Sequence, residues 1–151
     1  MMIRKAKQED LSRIAEIQVF NYRLYFYPIF RNDEYYFGEL QVSALMQQYE
    51  TELDSLYVHD DGVVKGFVKI EGTYVARLFV EPVLQNGAIG SRLLEYAVKE
   101  HHADHLWALE KNVRAIRFYE RNGFALTGEK KREEGTEEYL VLMSRDGNQN
   151  A

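Results

Sequence analysis

Residues 78–91 combine a strand end, a glycine-bearing loop and the start of a helix. The strand is expected to end near Glu81, because Pro82 cannot donate a backbone hydrogen bond to a sheet ladder. Gly87 and Gly90 follow, and glycine lets the backbone approach a ligand without interference from a Cβ atom. Free amides at a helix N-terminus carry partial positive charge, so this segment predicts a phosphate-binding turn.

Two other phosphate-binding motifs are excluded in this segment. A Walker A motif needs Lys and then Ser or Thr after its last glycine, whereas Gly90 is followed by Ser91 and Arg92. The dinucleotide fingerprint needs a glycine where Gln85 stands. Taken alone, the two glycines of the loop fit equally well a turn that caps a core helix.

A second motif downstream changes that balance. It runs Asn112-x-x-Ala115-x-x-Phe118-Tyr119-x-x-x-Gly123-Phe124, after a predicted helix and strand. Together with Gln85-Asn86-Gly87-Ala88-Ile89-Gly90, it resembles the GNAT superfamily of N-acetyltransferases, and the two motifs stand in the order of that family. The order of predicted elements resembles the GNAT fold over nearly the whole chain.

The resemblance implies that acetyl-coenzyme A is the co-substrate and binds in a V-shaped opening between the fourth and fifth strands. In that arrangement the backbone of Phe79 and Val80 pairs with the pantetheine arm, and the Ser91 hydroxyl joins the amides at the pyrophosphate. Asn112 is expected beside the pantetheine, and Tyr119 near the sulfur. The pyrophosphate amides are expected from Gln85, Asn86, Gly87, Ala88, Ile89 and Gly90.

The implied reaction is direct attack of an amine on the thioester, which needs neither a cysteine nor a metal. The chain has no cysteine, and no metal site is expected. The attacking amine must be neutral, whereas an unperturbed lysine has a pKa of about 10.4. Amides on the splayed strand are expected to stabilise the oxyanion, and Tyr119 to protonate the departing thiolate.

The general base is not assigned by the sequence. In the branch of the family that acetylates ribosomal-protein N-termini, a glutamate stands five residues before the asparagine, and here that residue is Trp107. An indole cannot take up the proton. The remaining candidates, each also explained as a surface carboxylate or a strand histidine, are Glu71, Glu81, Glu110 and His59.

The acceptor side is marked by aromatic residues. Nine of the 20 aromatic residues in the chain fall between Phe20 and Phe37, in the segment that joins the first two helices and borders the acceptor site in this family. These rings are expected either to line a pocket for an apolar, aromatic or cationic acceptor, or to form a satellite core. The candidates for acceptor contact are Tyr22, Tyr25, Tyr27 and Phe30.

Two charged groups also bear on the site. Arg114, Arg117 and Arg121 share a helix face and are candidates to meet the anionic end of the coenzyme, or form a solvated basic face. Four carboxylates near the last hairpin are candidates to attract a cationic acceptor, or form a solvated charge run. They are Glu133, Glu134, Glu137 and Glu138.

Hydrophobic periodicity places these motifs in the element order β-α-α-β-β-β-α-β-α-β-β. The order predicts an α/β or α+β domain with a mixed central sheet of about seven strands, flanked by about four helices. The helices are expected over residues 10–20, 34–50, 88–102 and after Asn112. The strands are expected over residues 3–6, 52–59, 63–70, 74–80, 104–109, 124–127 and 138–143.

Length and charge narrow the class of protein. The 151 residues suit one domain, expected over residues 1–145 with a flexible tail at 146–151. The net charge of −5 argues against a nucleic-acid partner. No apolar stretch long enough for a signal or a membrane span is present, so we expect a cytoplasmic protein without a membrane partner, as a monomer or homodimer.

The sequence therefore predicts an N-acetyltransferase that transfers an acetyl group from acetyl-coenzyme A to a primary amine of a small molecule or a protein. The alternative is a non-catalytic acyl-coenzyme A sensor or interaction module that keeps the fold. The strand glutamate replaced by Trp107 keeps that alternative open.

Overall fold

The computed structural model describes residues 2–85 and 87–145, in which seven strands form one mixed sheet with the order β1-β2-β3-β4-β5-β7-β6. Asn86 and the predicted tail at 146–151 lie outside the described residues. The strands are β1 (Ile3–Lys5), β2 (Leu56–Asp60), β3 (Val64–Glu71), β4 (Tyr74–Val80), β5 (His105–Leu109), β6 (Ala125–Arg132) and β7 (Tyr139–Ser144).

Five α-helices pack on this sheet within the described part of the chain. They are α1 (Leu11–Asn21), α2 (Tyr27–Phe30), α3 (Val42–Tyr49), α4 (Ile89–His101) and α5 (Val113–Arg121). Wide π-helical turns at Tyr22–Phe26 and Glu34–Glu39 flank α2. Short 3₁₀ turns precede α1, β2 and α4, at Gln8–Asp10, Leu53–Ser55 and Pro82–Leu84. The predicted fold class is confirmed, and the predicted element order differs at one place: the short helix α2 was not predicted and makes five helices instead of about four. None of the described helices is long and apolar enough to cross a bilayer.

The sheet opens between β4 and β5. These two strands are parallel and pair at Tyr74 with His105, after which no further register pair is found between them in the described residues. By contrast, β5 pairs with β7 over its full length, from His105 to Leu109. The strands therefore diverge towards Val80 and Leu109, and the predicted V-shaped opening is confirmed.

Two apolar cores hold the opening from either face of the sheet. One core lies beneath α1 and α3, where Ile14, Tyr49 and Phe67 are fully buried. The other lies beneath α4, where Leu93 and Leu106 are buried. The divergence of β4 from β5 is thus fixed by packing on both faces rather than by hydrogen bonds between the strands.

Local signals in the sequence set several element ends. Asn112 caps α5, because its side-chain oxygen accepts a hydrogen bond from the Ala115 amide at 3.2 Å. Gly123 follows α5 with φ at +93°, a conformation that side chains rarely adopt. The β2–β3 turn has Gly62 at φ +111°, and Asp60 Oδ1 accepts its amide hydrogen bond at 2.9 Å.

The helix predicted over residues 34–50 is wrong as one continuous element. The chain breaks at Leu40, which is extended at φ −77° and ψ 95° and buries its side chain in the core under α1. The Gln41 side-chain amide donates to the carbonyls of Phe37 and Gly38, which ends the π-helical turn before α3 begins. The break turns Phe37 outward, so that it is 53% exposed rather than part of the buried stripe.

Candidate active site

The opening between β4 and β5 holds a cavity of about 920 Å³. Small-molecule sites in proteins typically have volumes of about 300–1,000 Å³. The cavity extends from Gly90 at the first turn of α4 to the segment that carries the clustered rings. Its walls therefore come from the two regions that the sequence assigns to coenzyme and acceptor.

The edge of β4 supplies free backbone groups to this cavity. The Glu81 amide donates to the Lys65 carbonyl of β3 at 2.9 Å, and bonded pairs alternate along an antiparallel ladder. With Phe79 opposite Phe67, the backbone groups of Phe79 therefore face β3. Those of Leu78 and Val80 face the opening. The register therefore does not favour the expected backbone pairing of Phe79 with pantetheine, and favours Leu78 in its place.

Gln85 ties the loop after β4 to helix α1. Its Nε2 donates to Asn21 Oδ1 at 2.6 Å and to the Val80 carbonyl at 3.1 Å. Asn21 Nδ2 donates to the same carbonyl at 2.9 Å. The Val80 carbonyl is therefore already hydrogen-bonded within the protein, and the Val80 amide is the backbone group of this residue that can bind a ligand.

The segment predicted to bind phosphate leads into the first turn of α4. Helix amides in a first turn have no intrahelical acceptor, and those of α4 follow directly on the Gly87 loop. A Cβ on Gly90 would lie 3.1 Å from the Phe118 ring, so glycine permits α4 to approach α5. Of the predicted coenzyme residues, the cavity is lined by Phe79, Val80, Gln85, Gly90, Asn112 and Tyr119, whereas Gly87, Ala88, Ile89 and Ser91 lie outside its lining.

Tyr119 lies in the wall of the cavity, on α5. Its ring packs edge-on against Phe118 and Phe124, at centroid distances of 5.2 and 6.3 Å. Burial raises the pKa of the Tyr119 hydroxyl well above its ordinary value. The hydroxyl therefore stays protonated at neutral pH and can donate a proton rather than accept one.

The base candidates separate clearly in the structure. Glu71 lines the cavity, although its carboxylate also pairs with Lys69 at 2.8 Å. Glu81 pairs with Arg13 at 2.9 Å and Glu110 with Lys130 at 3.3 Å, and neither lines the cavity. His59 is 1% exposed and borders a different cavity, on the β1–α4 side. Trp107 itself is part of the active-site wall.

The opposite wall of the cavity is aromatic. Tyr22, Tyr25 and Phe30 line it, as expected from the sequence. Tyr27 does not, because its hydroxyl donates to Asp33 and its ring packs on Tyr36 and Phe37. Three further rings of the same segment line the wall without having been singled out, namely Phe26, Tyr35 and Tyr36.

Charged side chains enter the cavity from both walls. Arg114 reaches across to Tyr25, with its guanidinium carbon 4.6 Å from the ring centroid, and Arg121 also lines the cavity whereas Arg117 does not. Glu133 and Glu134 line it from the β6–β7 connection. Of the other two hairpin carboxylates, Glu137 and Glu138, neither lines it, and Glu138 pairs with Lys111. Arg77, on β4, lines the cavity and carries no sequence motif that would have identified it.

Comparison with known proteins fits this geometry. Residues 52–126 match the model of the acetyltransferase (GNAT) domain. The chain is 29% identical over 124 residues to the peptidyl-lysine N-acetyltransferase YiaC of Escherichia coli K12, covering 82% of each protein.

Solved structures share the fold over almost the whole chain. The apo form of YjaB from Escherichia coli superposes with a TM-score of 0.70 at 19% identity, covering 96% of this chain and 97% of that one. The PaiA N-acetyltransferase of Thermoplasma acidophilum, solved in complex with coenzyme A, gives a TM-score of 0.65 at 22% identity, covering 93% and 96%.

The mixed sheet splayed between β4 and β5 belongs to the fold that the chain shares with these solved structures. Since residues 52–126 match the GNAT acetyltransferase domain and 82% of the chain aligns with a curated N-acetyltransferase, the chain belongs to the GNAT acetyltransferase family.

Proposed function

We propose that this chain is an acetyl-coenzyme A-dependent N-acetyltransferase that acetylates a primary amine of a small molecule or a protein. The observation that carries the proposal is one continuous cavity with Tyr119 in its wall. The cavity joins the first turn of α4 to the aromatic segment between Phe20 and Phe37. Such a cavity brings a donor and an acceptor together without a covalent enzyme intermediate.

The coenzyme is proposed to lie along the open edge of β4. Its pantetheine arm accepts hydrogen bonds from the amides of Leu78 and Val80 and donates one to the Leu78 carbonyl, as a further strand of the sheet would. Its pyrophosphate meets the first-turn amides of α4, where the helix dipole favours negative charge. Among the described residues neither set of groups has a hydrogen-bond partner, because one lies at the open strand edge and the other in the first helical turn.

The reaction joins the amine nitrogen to the thioester carbonyl carbon and breaks the carbon–sulfur bond. The amine loses one proton, and the coenzyme thiolate gains one. Tyr119 is proposed to supply the proton to the thiolate, since its raised pKa keeps the hydroxyl protonated. An edge amide of β4 is proposed to hold the oxyanion that forms between the two steps.

The aromatic wall is proposed to help the amine reach its neutral form. An ammonium group transferred from water to a ring-lined cavity loses solvation, which lowers its pKa. Glu71 is the proposed route for the proton among the base candidates, because it alone of the four lines the cavity. Cytoplasmic location and a monomeric or dimeric state stay predictions from the sequence.

Release of free thiol from acetyl-coenzyme A tests the proposal. The purified chain is assayed with a lysine-containing peptide, a polyamine, an arylalkylamine and free amino acids, and we expect amine-dependent release with at least one class. The peptide is included because the relative YiaC is named a peptidyl-lysine N-acetyltransferase. Tight coenzyme binding by calorimetry, with no amine raising thiol release above the rate in buffer, would favour the sensor hypothesis instead.

A further inference from the structure

Arg77 occupies the middle of β4 and lines the cavity, where the Tyr22 side chain is its hydrogen-bonding neighbour and no carboxylate of residues 2–85 and 87–145 lies within 4 Å of its guanidinium. Its Nε atom is buried and finds no hydrogen-bond acceptor among residues 2–85 and 87–145. The guanidinium carbon lies 5.9 Å from the centroid of the Tyr49 ring. The ring attracts the positive charge, but it offers no lone pair to the N–H groups.

Lys69, a buried cation on the neighbouring strand β3, is paired with carboxylates, whereas Arg77 is not. Lys69 stands directly opposite Arg77 in the β3–β4 register. Its ammonium lies 2.8 Å from the carboxylates of both Glu52 and Glu71. Two carboxylates thus pair with Lys69, which lies outside the cavity lining. No carboxylate among the described residues pairs with Arg77, which lines the cavity.

A half-buried guanidinium without a carboxylate partner loses part of its solvation, which costs free energy in the folded protein. Arginine cannot escape the cost by losing its proton, because its pKa lies above 12. The planar guanidinium is, however, the side chain best suited to bind a carboxylate through two parallel hydrogen bonds. The position of Arg77 therefore fits an anion that arrives with a ligand.

The pyrophosphate of the coenzyme is too far away to be that anion. Arg77 precedes Val80 by three residues, which is about 10 Å along a strand, and the α4 turn lies beyond Val80. Side chains alternate along a strand, so Arg77 shares its face with Phe79. The Phe79 ring contacts Tyr22 and Phe26 at 5.6 and 6.2 Å, which places this face on the acceptor side.

We propose that the acceptor is a free amino acid with an apolar or aromatic side chain, whose carboxylate is bound by Arg77. The side chain packs against the ringed wall, and the α-amine faces the thioester. This inference rests on the proposed acetyl transfer and narrows it to one class of amine. It makes Arg77 a binding residue for the acceptor, with no part in coenzyme binding.

Matched sets of amines test the carboxylate directly. L-phenylalanine is compared with phenethylamine, which lacks the carboxylate, and with phenylalaninamide, which keeps the volume without the charge; leucine and methionine are compared with their own counterparts. We expect kcat/KM for the best amino acid to exceed that of both counterparts by at least about tenfold, the range of a hydrogen bond to a charged group. Ratios near one in all three sets would overturn the proposal.

Substitution of Arg77 locates the effect. Arg77→Gln should bring the amino acid down to the rate of its decarboxylated counterpart, while kcat/KM for phenethylamine and coenzyme affinity stay within about twofold. Arg77→Lys should keep part of the preference, and thermal unfolding checks that both variants fold. An equal loss for all three amines in a set would overturn the proposal, because it would assign Arg77 to the thioester or to the fold.

Failure of the proposed function is distinguishable from failure of this inference. If no amine is acetylated, the acetyltransferase proposal fails, and calorimetry on the coenzyme-bound protein then decides the role of Arg77. Binding of L-phenylalanine but not phenethylamine, lost in Arg77→Gln, would support carboxylate recognition. Absence of that difference would overturn it.

Discussion

The two walls of the cavity are built from different parts of the polypeptide. The donor wall uses backbone groups of β4 and the α4 turn, and its key residue, Gly90, acts by having no side chain. The acceptor wall uses side chains, among them Tyr22 stacked on Phe26 at 4.6 Å. The proposed coenzyme is thus contacted by backbone groups, and the proposed acceptor amine by aromatic side chains.

The backbone under the two walls differs in the same sense. Helices α4 and α5 are regular, whereas the rings stand on wide turns at Tyr22–Phe26 and Glu34–Glu39 around the four-residue helix α2. A π-helical turn inserts an extra residue and rotates the following side chains, and such turns are frequent at functional sites. Loss or gain of one residue in these turns would therefore rotate the aromatic side chains of the acceptor wall.

The largest expected effect breaks the chemistry where the walls meet. Tyr119→Phe should lower kcat by about a hundredfold or more, the usual range for a lost general acid, and change coenzyme affinity by less than about threefold, because the ring packing stays. Rapid thiol assay and calorimetry measure the two quantities. Tyr96→Phe, outside the cavity lining, is the matched control. An unchanged kcat would remove Tyr119 from the acid role.

A smaller effect is expected from the donor wall alone. Gly90→Val places a Cβ 3.1 Å from the Phe118 ring and must move α4 away from α5. Coenzyme affinity should fall about tenfold, or about 1.4 kcal/mol, as measured by calorimetry. Gly87→Ala is the control, since its Cβ makes an ordinary 3.4 Å contact with the Leu84 carbonyl. Equal affinities for both variants and the parent would contradict the placement of the phosphate turn.

The smallest effect concerns the contact between the walls. Arg114→Ala removes the cation that lies 4.6 Å from the Tyr25 ring centroid, a contact worth about 0.5–1 kcal/mol. We expect KM for the acceptor to change about two- to fivefold while coenzyme affinity is unaltered. Arg117→Ala, on the same helix but outside the cavity lining, should change neither. A larger change in coenzyme affinity than in acceptor KM would assign Arg114 to the donor wall.

The sequence indicates the ends of the elements beside the donor wall more directly than the ring positions in the acceptor wall, for physical reasons. Asn112 accepts a hydrogen bond from the amide three residues further on, and Gly123 ends the helix through its own positive φ. Both effects are local, so the sequence reveals them. Tyr27 faces away because of the turn geometry around it, which ring composition alone does not encode. Arg77 is defined by what surrounds it after folding, including Tyr49 from a distant helix.

Errors of element assignment have the same origin. The break at Leu40 depends on a long-range gain, the burial of that side chain under α1, which outweighs the local helical pattern on either side. The sequence predicted β4 as a strand. Which of its backbone groups stay free of β3, however, depends on the register between the two strands. Register is a property of two strands together, and neither sequence segment states it alone.

The hydrogen bond of Gln85 to Asn21 has a consequence for how the two ligands sense one another. Asn21 is the last residue of α1, and Tyr22, the first ring of the acceptor wall, follows it directly. We therefore expect a displacement of Gln85 to move Asn21 and, with it, the start of the acceptor wall. Linkage then requires reciprocity: by whatever factor coenzyme alters the affinity for the amine, the amine alters the affinity for coenzyme.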